Sequence, residues 1–430
     1  MDIYVVQRGD TLWAISRKYG VSIRSIAEIN LLPDPNMLVI GQALVIPTTA
    51  RTHVVKPGES LWLISRMYGT TIQAIVETNK ISNPNLIRAG QILVIPPAAK
   101  PAKEVNAYLA GLDEMGSGIA QSIVQNLGKY LTYLCPASYE TRSDGSLIGI
   151  EDDALIAQAL SENILPCMVI TNFVDKKVST ELGHVILQSV PVQDNLIENI
   201  LGTMSSKGYK GLHVNFESLL PEDKEAFNGF LERVSNRLHP LGYIVSSALS
   251  PKVSATQKGL LYEAHDYRAH GRLMDFTVLM TYEWGWVGGP PTAISPLHKI
   301  MEVLNYAVTE IPREKIMLGT LFYTRDWTLP YVQGKTYART TSAQDAIILA
   351  VRYRSSIQYD NLSQSPFFRY KDEQGREHEV WFEDARSIQA KLNLVNEYNL
   401  RGVAHWEIGT AFPQIWPVQE DTFRAAKKSL

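Results

Sequence analysis

The apolar positions of residues 4–47 follow two periods in turn. Tyr4–Val6 and Ala43–Ile46 are short runs of β-branched and apolar residues closed by Gly9 and Pro47, which predicts two paired strands. Between them Leu12, Ile15 and Tyr19 recur at helical spacing. Asp10 or Thr11 stands where an N-cap is needed, and Gly20 where the helix must stop. Ser22 is placed to cap a second helix that turns Ile23 and Ile26 inward. The unit reads strand, helix, helix, strand. Residues 53–96 repeat it at a period of 49 without a gap, with 22 of 44 positions identical, so the N-terminal part is an internal duplication. The expected units are residues 1–48 and 52–97. A connector follows at 98–103; Pro96 and Pro97 just before it and Pro101 within it, among alanines and lysines, make a stiff polar stretch.

From residue 104 the pattern changes to apolar runs of strand length alternating with amphipathic helical stretches, the signature of a parallel α/β architecture. Eight such runs are present: 104–111, 130–137, 164–173, 211–217, 243–249, 275–282, 315–323 and 402–408. Helical segments separate them, among them 221–237, with an acidic first turn, and 296–308. Eight parallel strands with crossover helices predict a closed (β/α)8 TIM barrel spanning residues 104–430. The longest gap, 328–401, holds Tyr359, Phe367, Phe368, Tyr370, a hairpin signal at Asp372–Gly375 and the run 379–382. It predicts a small β-rich insertion between strands 7 and 8, walling one side of the barrel mouth.

Composition narrows the function classes. The 41 basic and 44 acidic side chains of the 430-residue chain leave a formal charge of −3, which offers no bulk positive field for nucleic acid. The charge divides as +3 over residues 1–98 and −6 over the rest, a weak bias of the repeats toward anionic surfaces. Cys135 and Cys167 sit in apolar strand contexts and build no disulfide framework. No apolar run reaches the length of a membrane span, and the first residues lack the basic and apolar regions of a secretory signal.

In a (β/α)8 barrel the reacting groups sit at the C-terminal ends of the strands. Strand 4 ends His213-Val214-Asn215-Phe216-Glu217, and alternation places His213, Asn215 and Glu217 on one side. Three polar groups inside a barrel are costly unless paired or used. A hydrogen-bonded layer that only fixes the barrel is the alternative to a reactive one. Strand 6 ends Tyr282-Glu283-Trp284-Gly285-Trp286, a phenol, a carboxylate and two indoles suited to sugar faces or to loop packing. Tyr323, Arg325, Asp326 and Trp327 follow strand 7, and His405-Trp406-Glu407 ends strand 8. The remaining histidines show no metal-ligand spacing, and no cofactor or metal is expected.

These motifs carry a resemblance. The repeats, with Gly-(Asp/Glu)-(Thr/Ser)-Leu-Trp-x-Ile-Ser-Arg and Gly-Gln-x-Leu-Val-Ile-Pro, resemble LysM domains, modules that bind N-acetylglucosamine units of peptidoglycan or chitin. Residues 104–430 resemble the catalytic domain of glycoside hydrolase family 18, in particular the spore cortical-fragment-lytic group of bacilli. The motifs are Gly-Leu-His-Val-Asn-Phe-Glu, Met-Thr-Tyr-Glu-Trp-Gly, Tyr-x-Arg-Asp-Trp-Thr-Leu-Pro-Tyr and His-Trp-Glu. The resemblance implies that Glu217 is the catalytic acid and base, that Asn215 and Tyr282 hold the substrate acetamido group, and that Trp406 floors the cleavage subsite. Glu283, Trp284, Tyr323, Arg325, Asp326, Trp327 and His213 would contact or frame flanking sugars. The chain departs from the family pattern where Asn215 replaces the usual Asp, where His213 fills the preceding acidic position and where Lys210 occupies the first.

The expected activity is an N-acetylglucosaminidase on spore cortex glycan or its fragments, by substrate-assisted retaining catalysis, with the LysM pair as a tether that raises effective concentration. Removing residues 1–98 is then expected to weaken binding to insoluble wall while sparing soluble fragments. The alternatives are a non-catalytic glycan-binding protein, motivated by Asn215 and His213, or a chitinase or endoglycosidase on another N-acetylglucosamine polymer. The expected partner is peptidoglycan, with no nucleic acid and no membrane span; the chain is expected to be a monomer located in the spore coat or cortex.

Overall fold

The structure, a computed structural model, describes residues 1–48, 51–68, 70–96 and 100–428. Pro97 and the first two residues of the expected connector, 98 and 99, lie outside the described residues. In the first repeat Asp2–Val5 pairs antiparallel with Ala43–Ile46, and helices Leu12–Tyr19 and Ile23–Ile29 lie between them. Thr11 caps the first helix by accepting the Ala14 amide proton, because the Asp10 carboxylate is already taken by the Tyr4 hydroxyl and the Gln7 amide, both at 2.7 Å. Gly20, at φ 65°, ends that helix in the left-handed region that costs glycine nothing. Val6, Leu12, Ile15, Ile26, Leu44 and Ile46 bury the two helical stripes against the two-stranded sheet. The second repeat builds the same unit from Arg51–Val54, Leu61–Tyr68, Ile72–Asn79 and Ile92–Ile95.

All eight expected barrel strands are present. They run Ala102–Leu109, Tyr133–Pro136, Leu165–Thr171, Gly211–Asn215, Ile244–Leu249, Phe276–Leu279, Ile316–Leu321 and Gly402–Trp406, each parallel to its neighbours. Pairing of the last strand with the first closes the barrel. Helices Asp153–Ser161, Val190–Lys207, Lys224–Leu238, Leu297–Glu310 and Ala385–Glu397 pack outside it. Behind strand 4, Phe216 stacks on Phe227 and Phe230 with all three rings buried. Burial of this kind contributes about 1.5–3 kcal/mol per side chain and fixes the strand that carries the candidate acid. Among the described residues no helix is long and apolar enough to cross a membrane.

The apolar run expected over 315–323 divides in two. Barrel strand 7 ends at Leu321, and Tyr323–Thr328 leaves the barrel to become an inner strand of a five-stranded antiparallel sheet. Its partners are Arg339–Ser342 on one side and Glu377–Trp381 on the other, with Ser365–Lys371 and Gln358–Asp360 completing the order. The insertion therefore begins five residues before its expected start. Alternation continues through residue 322, so the period of the side chains does not change where the strand changes sheets.

Candidate active site

All eight strands or the loops that follow them aim side chains into one cavity of about 200 Å³ at the C-terminal end of the barrel. Glu217, just past strand 4, lines it together with Asn215, Tyr282, Glu283, Tyr323 and Trp406. Asn215 donates from Nδ2 to Glu217 Oε1 at 2.9 Å. Its Oδ1 is shut off from solvent and has no partner among the described residues, an acceptor buried unpaired in the cavity wall. Burial raises the Glu217 pKa, the Asn215 hydrogen bond pulls the other way, and the neighbouring Glu283 charge pushes it further up. A carboxyl protonated at higher pH than usual suits a group that must give a proton to a leaving oxygen.

The backbone at Glu217 is itself pinned. Asn172, fully buried at the end of strand 3, accepts the Glu217 amide proton at 2.9 Å and donates to the Glu217 carbonyl at 2.9 Å. Tyr282 owes its place to Gly319 on strand 7, since a Cβ there would stand 3.0 Å from the Tyr282 ring and 2.3 Å from the Leu279 carbonyl. Burial holds the Tyr282 phenol well above its ordinary pKa, so it stays a hydrogen-bond donor. Glu283 adopts φ 69° and is clasped by the Tyr323 hydroxyl and by Arg325 at 2.8 Å; the Arg325 guanidinium also lies 4.4 Å above the Tyr323 ring. Arg325 thus shapes the rim through Glu283 and Tyr323.

Other expected site residues lie outside the cavity lining. His213 is fully buried below it, with Nε2 2.9 Å from the Tyr108 hydroxyl and Nδ1 2.9 Å from Ser246 Oγ. Burial lowers its pKa to about 3, so it is a neutral strut. Trp284 packs on the barrel core. Trp327 is buried and donates to the Gly289 carbonyl at 2.8 Å, bracing the loop after strand 6. Asp326 faces the opposite side of the insertion sheet, where it accepts from Tyr370 and contacts His378, both at 2.9 Å.

The sequence reading named nothing on strands 1 to 3, yet Tyr108, Ser138, Thr171 and Phe173 line the cavity. Tyr108 meets Trp406 edge-on at 5.4 Å. Beyond Trp406, Ser138 and Phe173 the cleft continues into a second cavity of about 530 Å³, walled by residues 110–114, Glu140, 148–150, Asp175 and Lys176. Position at the C-terminal end of a strand was the signal available for these residues.

A barrel with a buried carboxyl of raised pKa at the end of strand 4, an unpaired amide acceptor beside it and an indole shared by two adjoining cavities is the framework of a glycoside hydrolase. The family model for glycosyl hydrolases family 18 matches residues 185–411, and that for the LysM domain matches residues 4–47 and 53–96. The chain is 51% identical over 429 residues to the cortical fragment-lytic enzyme of Bacillus subtilis (strain 168), covering 100% of both chains. The corresponding enzyme of Bacillus anthracis is 45% identical over 432 residues, again covering 100% of both. The crystal structure of the spore cortex-lytic enzyme SleL of Bacillus megaterium QM B1551 is similar with a TM-score of 0.90 and 43% identity, over 99% of each chain. The chain belongs to glycosyl hydrolases family 18, with two LysM domains before the catalytic barrel.

Proposed function

We propose that the chain hydrolyses the glycan of the bacterial spore cortex, or fragments of it, during germination, acting as an N-acetylglucosaminidase at the spore coat or cortex. The observation that carries this reading is the Asn215–Glu217 pair facing Tyr282 and Trp406 in one cavity. Its similarity to cortical fragment-lytic enzymes supports the choice of substrate. Glu217 protonates the glycosidic oxygen and then activates water, while the acetamido oxygen of the substrate is the nucleophile, so one protein acid is enough. Asn215 turns its partnerless Oδ1 from the wall toward the acetamido N–H when the sugar binds. Tyr282 donates to the acetamido carbonyl and fixes the attack geometry, and Trp406 supplies the apolar floor.

Cortex fragments incubated with the enzyme and analysed by mass spectrometry should show new reducing N-acetylglucosamine ends. Glu217→Gln should bind fragments and release none. Product from that variant at the wild-type rate would remove Glu217 from the mechanism.

A further inference from the structure

The two repeats share one fold and half their residues, yet the first is fastened to the barrel. Gln414, itself buried, donates from Nε2 to Asn30 Oδ1 at 2.9 Å and to the Ala43 carbonyl at 2.8 Å, and accepts the Ala385 amide proton at 2.8 Å. Arg386, gripped by Asp384, reaches the Gly41 carbonyl at 3.1 Å. The Ile357 amide donates to the Ile40 carbonyl at 2.8 Å, and Gln344 donates to the Leu31 carbonyl. Val39 packs with Ala346, Ala350 and Ile357, while Ala43 and Val45 belong to the same apolar cluster as the barrel strands.

The duplication supplies an internal control. Ala43 and Val45 are 1% and 0% exposed, whereas their counterparts Ile92 and Val94 are 66% and 37% exposed. The counterpart of Val39 is an exposed Arg88. Gly41 and Gly90 turn the chain alike, at φ 83° and 86°. A Cβ on Gly41 would stand 1.8 Å from the Ile357 carbonyl oxygen, and one on Gly90 would meet nothing within 4 Å. Among the described residues, the side-chain hydrogen bonds of 52–96 all close within that repeat.

We propose that the first repeat is a structural part of the catalytic body, a buttress for one wall of the cleft, and that the second repeat is the separately oriented glycan-binding module. The route from the docked face to the cleft is short. Ala346, Ala350 and Ile357 pack against Phe368 and Val380 of the insertion sheet. The same sheet carries Tyr323 and Arg325 onto Glu283 at the mouth. The labour is thus divided between the repeats, in place of residues 1–98 serving as one tether. The turnover readout below rests on the proposed hydrolase activity; the docking readouts do not.

Gly41→Ala and Gly90→Ala in the full chain test this, because both incur the same left-handed strain and only one meets the barrel. Gly41→Ala should lower the thermal midpoint by about 2–4 °C more than Gly90→Ala. It should speed amide exchange at Val45 and Ile357 and reduce turnover of soluble fragments by about threefold or more relative to Gly90→Ala. Gln414→Ala, a gentler change made from the barrel side, should speed the same two amides even if Gly41→Ala does not fold. Equal effects of the two glycine substitutions, unchanged exchange in Gln414→Ala, or a loosened first repeat with wild-type turnover would each overturn the proposal. Absence of turnover in the wild type counts against the hydrolase reading, and the midpoint and exchange data still decide the docking.

Discussion

Asn215→Asp places a second carboxylate where an amide now touches Glu217 Oε1 at 2.9 Å. The change is isosteric, so the fold should tolerate it. Two carboxylates about 4 Å apart in a partly buried site, at an effective dielectric of about 20, repel by about 4 kcal/mol. At 1.36 kcal/mol per pKa unit that corresponds to at most about 3 units. The amide hydrogen bond that now pulls the Glu217 pKa down is lost as well, so both changes act in one direction. The pair will titrate as a unit, and its upper apparent pKa should rise by about 1–3 units. The alkaline limb of kcat/KM for soluble fragments, which reports the essential acid of the free enzyme, should move to higher pH by that amount. An anionic group also opposes the positive charge that forms when the acetamido oxygen closes on the anomeric carbon. Charge-assisted hydrogen bonds are about twice as strong as neutral ones, so kcat should rise by about tenfold. An alkaline limb that stays within about half a unit of wild type would refute the placement of Glu217 as the titrating acid beside residue 215.

Glu217→Gln should raise the thermal midpoint at neutral pH. The folded pKa of Glu217 is raised, so its contribution is favourable below the ordinary carboxylate range and is lost as pH rises; the gain from Gln should vanish in acid. Four buried histidines, His213, His265, His270 and His405, have pKa values lowered by burial to about 3, 4, 3 and 4. Their stability is complete above about pH 6.5 and declines as pH falls toward 4, so unfolding near pH 5 should take up protons in excess of those bound by carboxylates, measurable as a steep midpoint-against-pH slope. Tyr282→Phe removes one donor aimed at developing charge and should lower kcat by about 10²-fold with KM little changed; a loss confined to KM would contradict its role. Trp406→Ala should raise KM for fragments through loss of the apolar floor, and an unchanged KM would place the sugar elsewhere.

The order of secondary structure, the duplication and the closed barrel were legible because each rests on local signals. Periods of 2 and 3.6, caps such as Thr11 and Ser22 and stops such as Gly20 operate within a few residues, and a strand–helix alternation of eight closes in few ways. Glu217, Tyr282 and Trp406 were legible by motif, and the cavity brings them together. What tertiary structure alone decided is what each side chain meets across the sheet. Alternation put His213 on the same side as Glu217, but depth along the strand left it beneath the floor between Tyr108 and Ser246. Asp326 and Trp327 sit beside Arg325 in the chain and face other neighbours, because Tyr323–Thr328 crosses from the barrel to a second sheet. Two repeats of one fold differ in burial for the same reason: Gly41 and Gly90 have one local conformation, and only packing against Ile357 tells them apart.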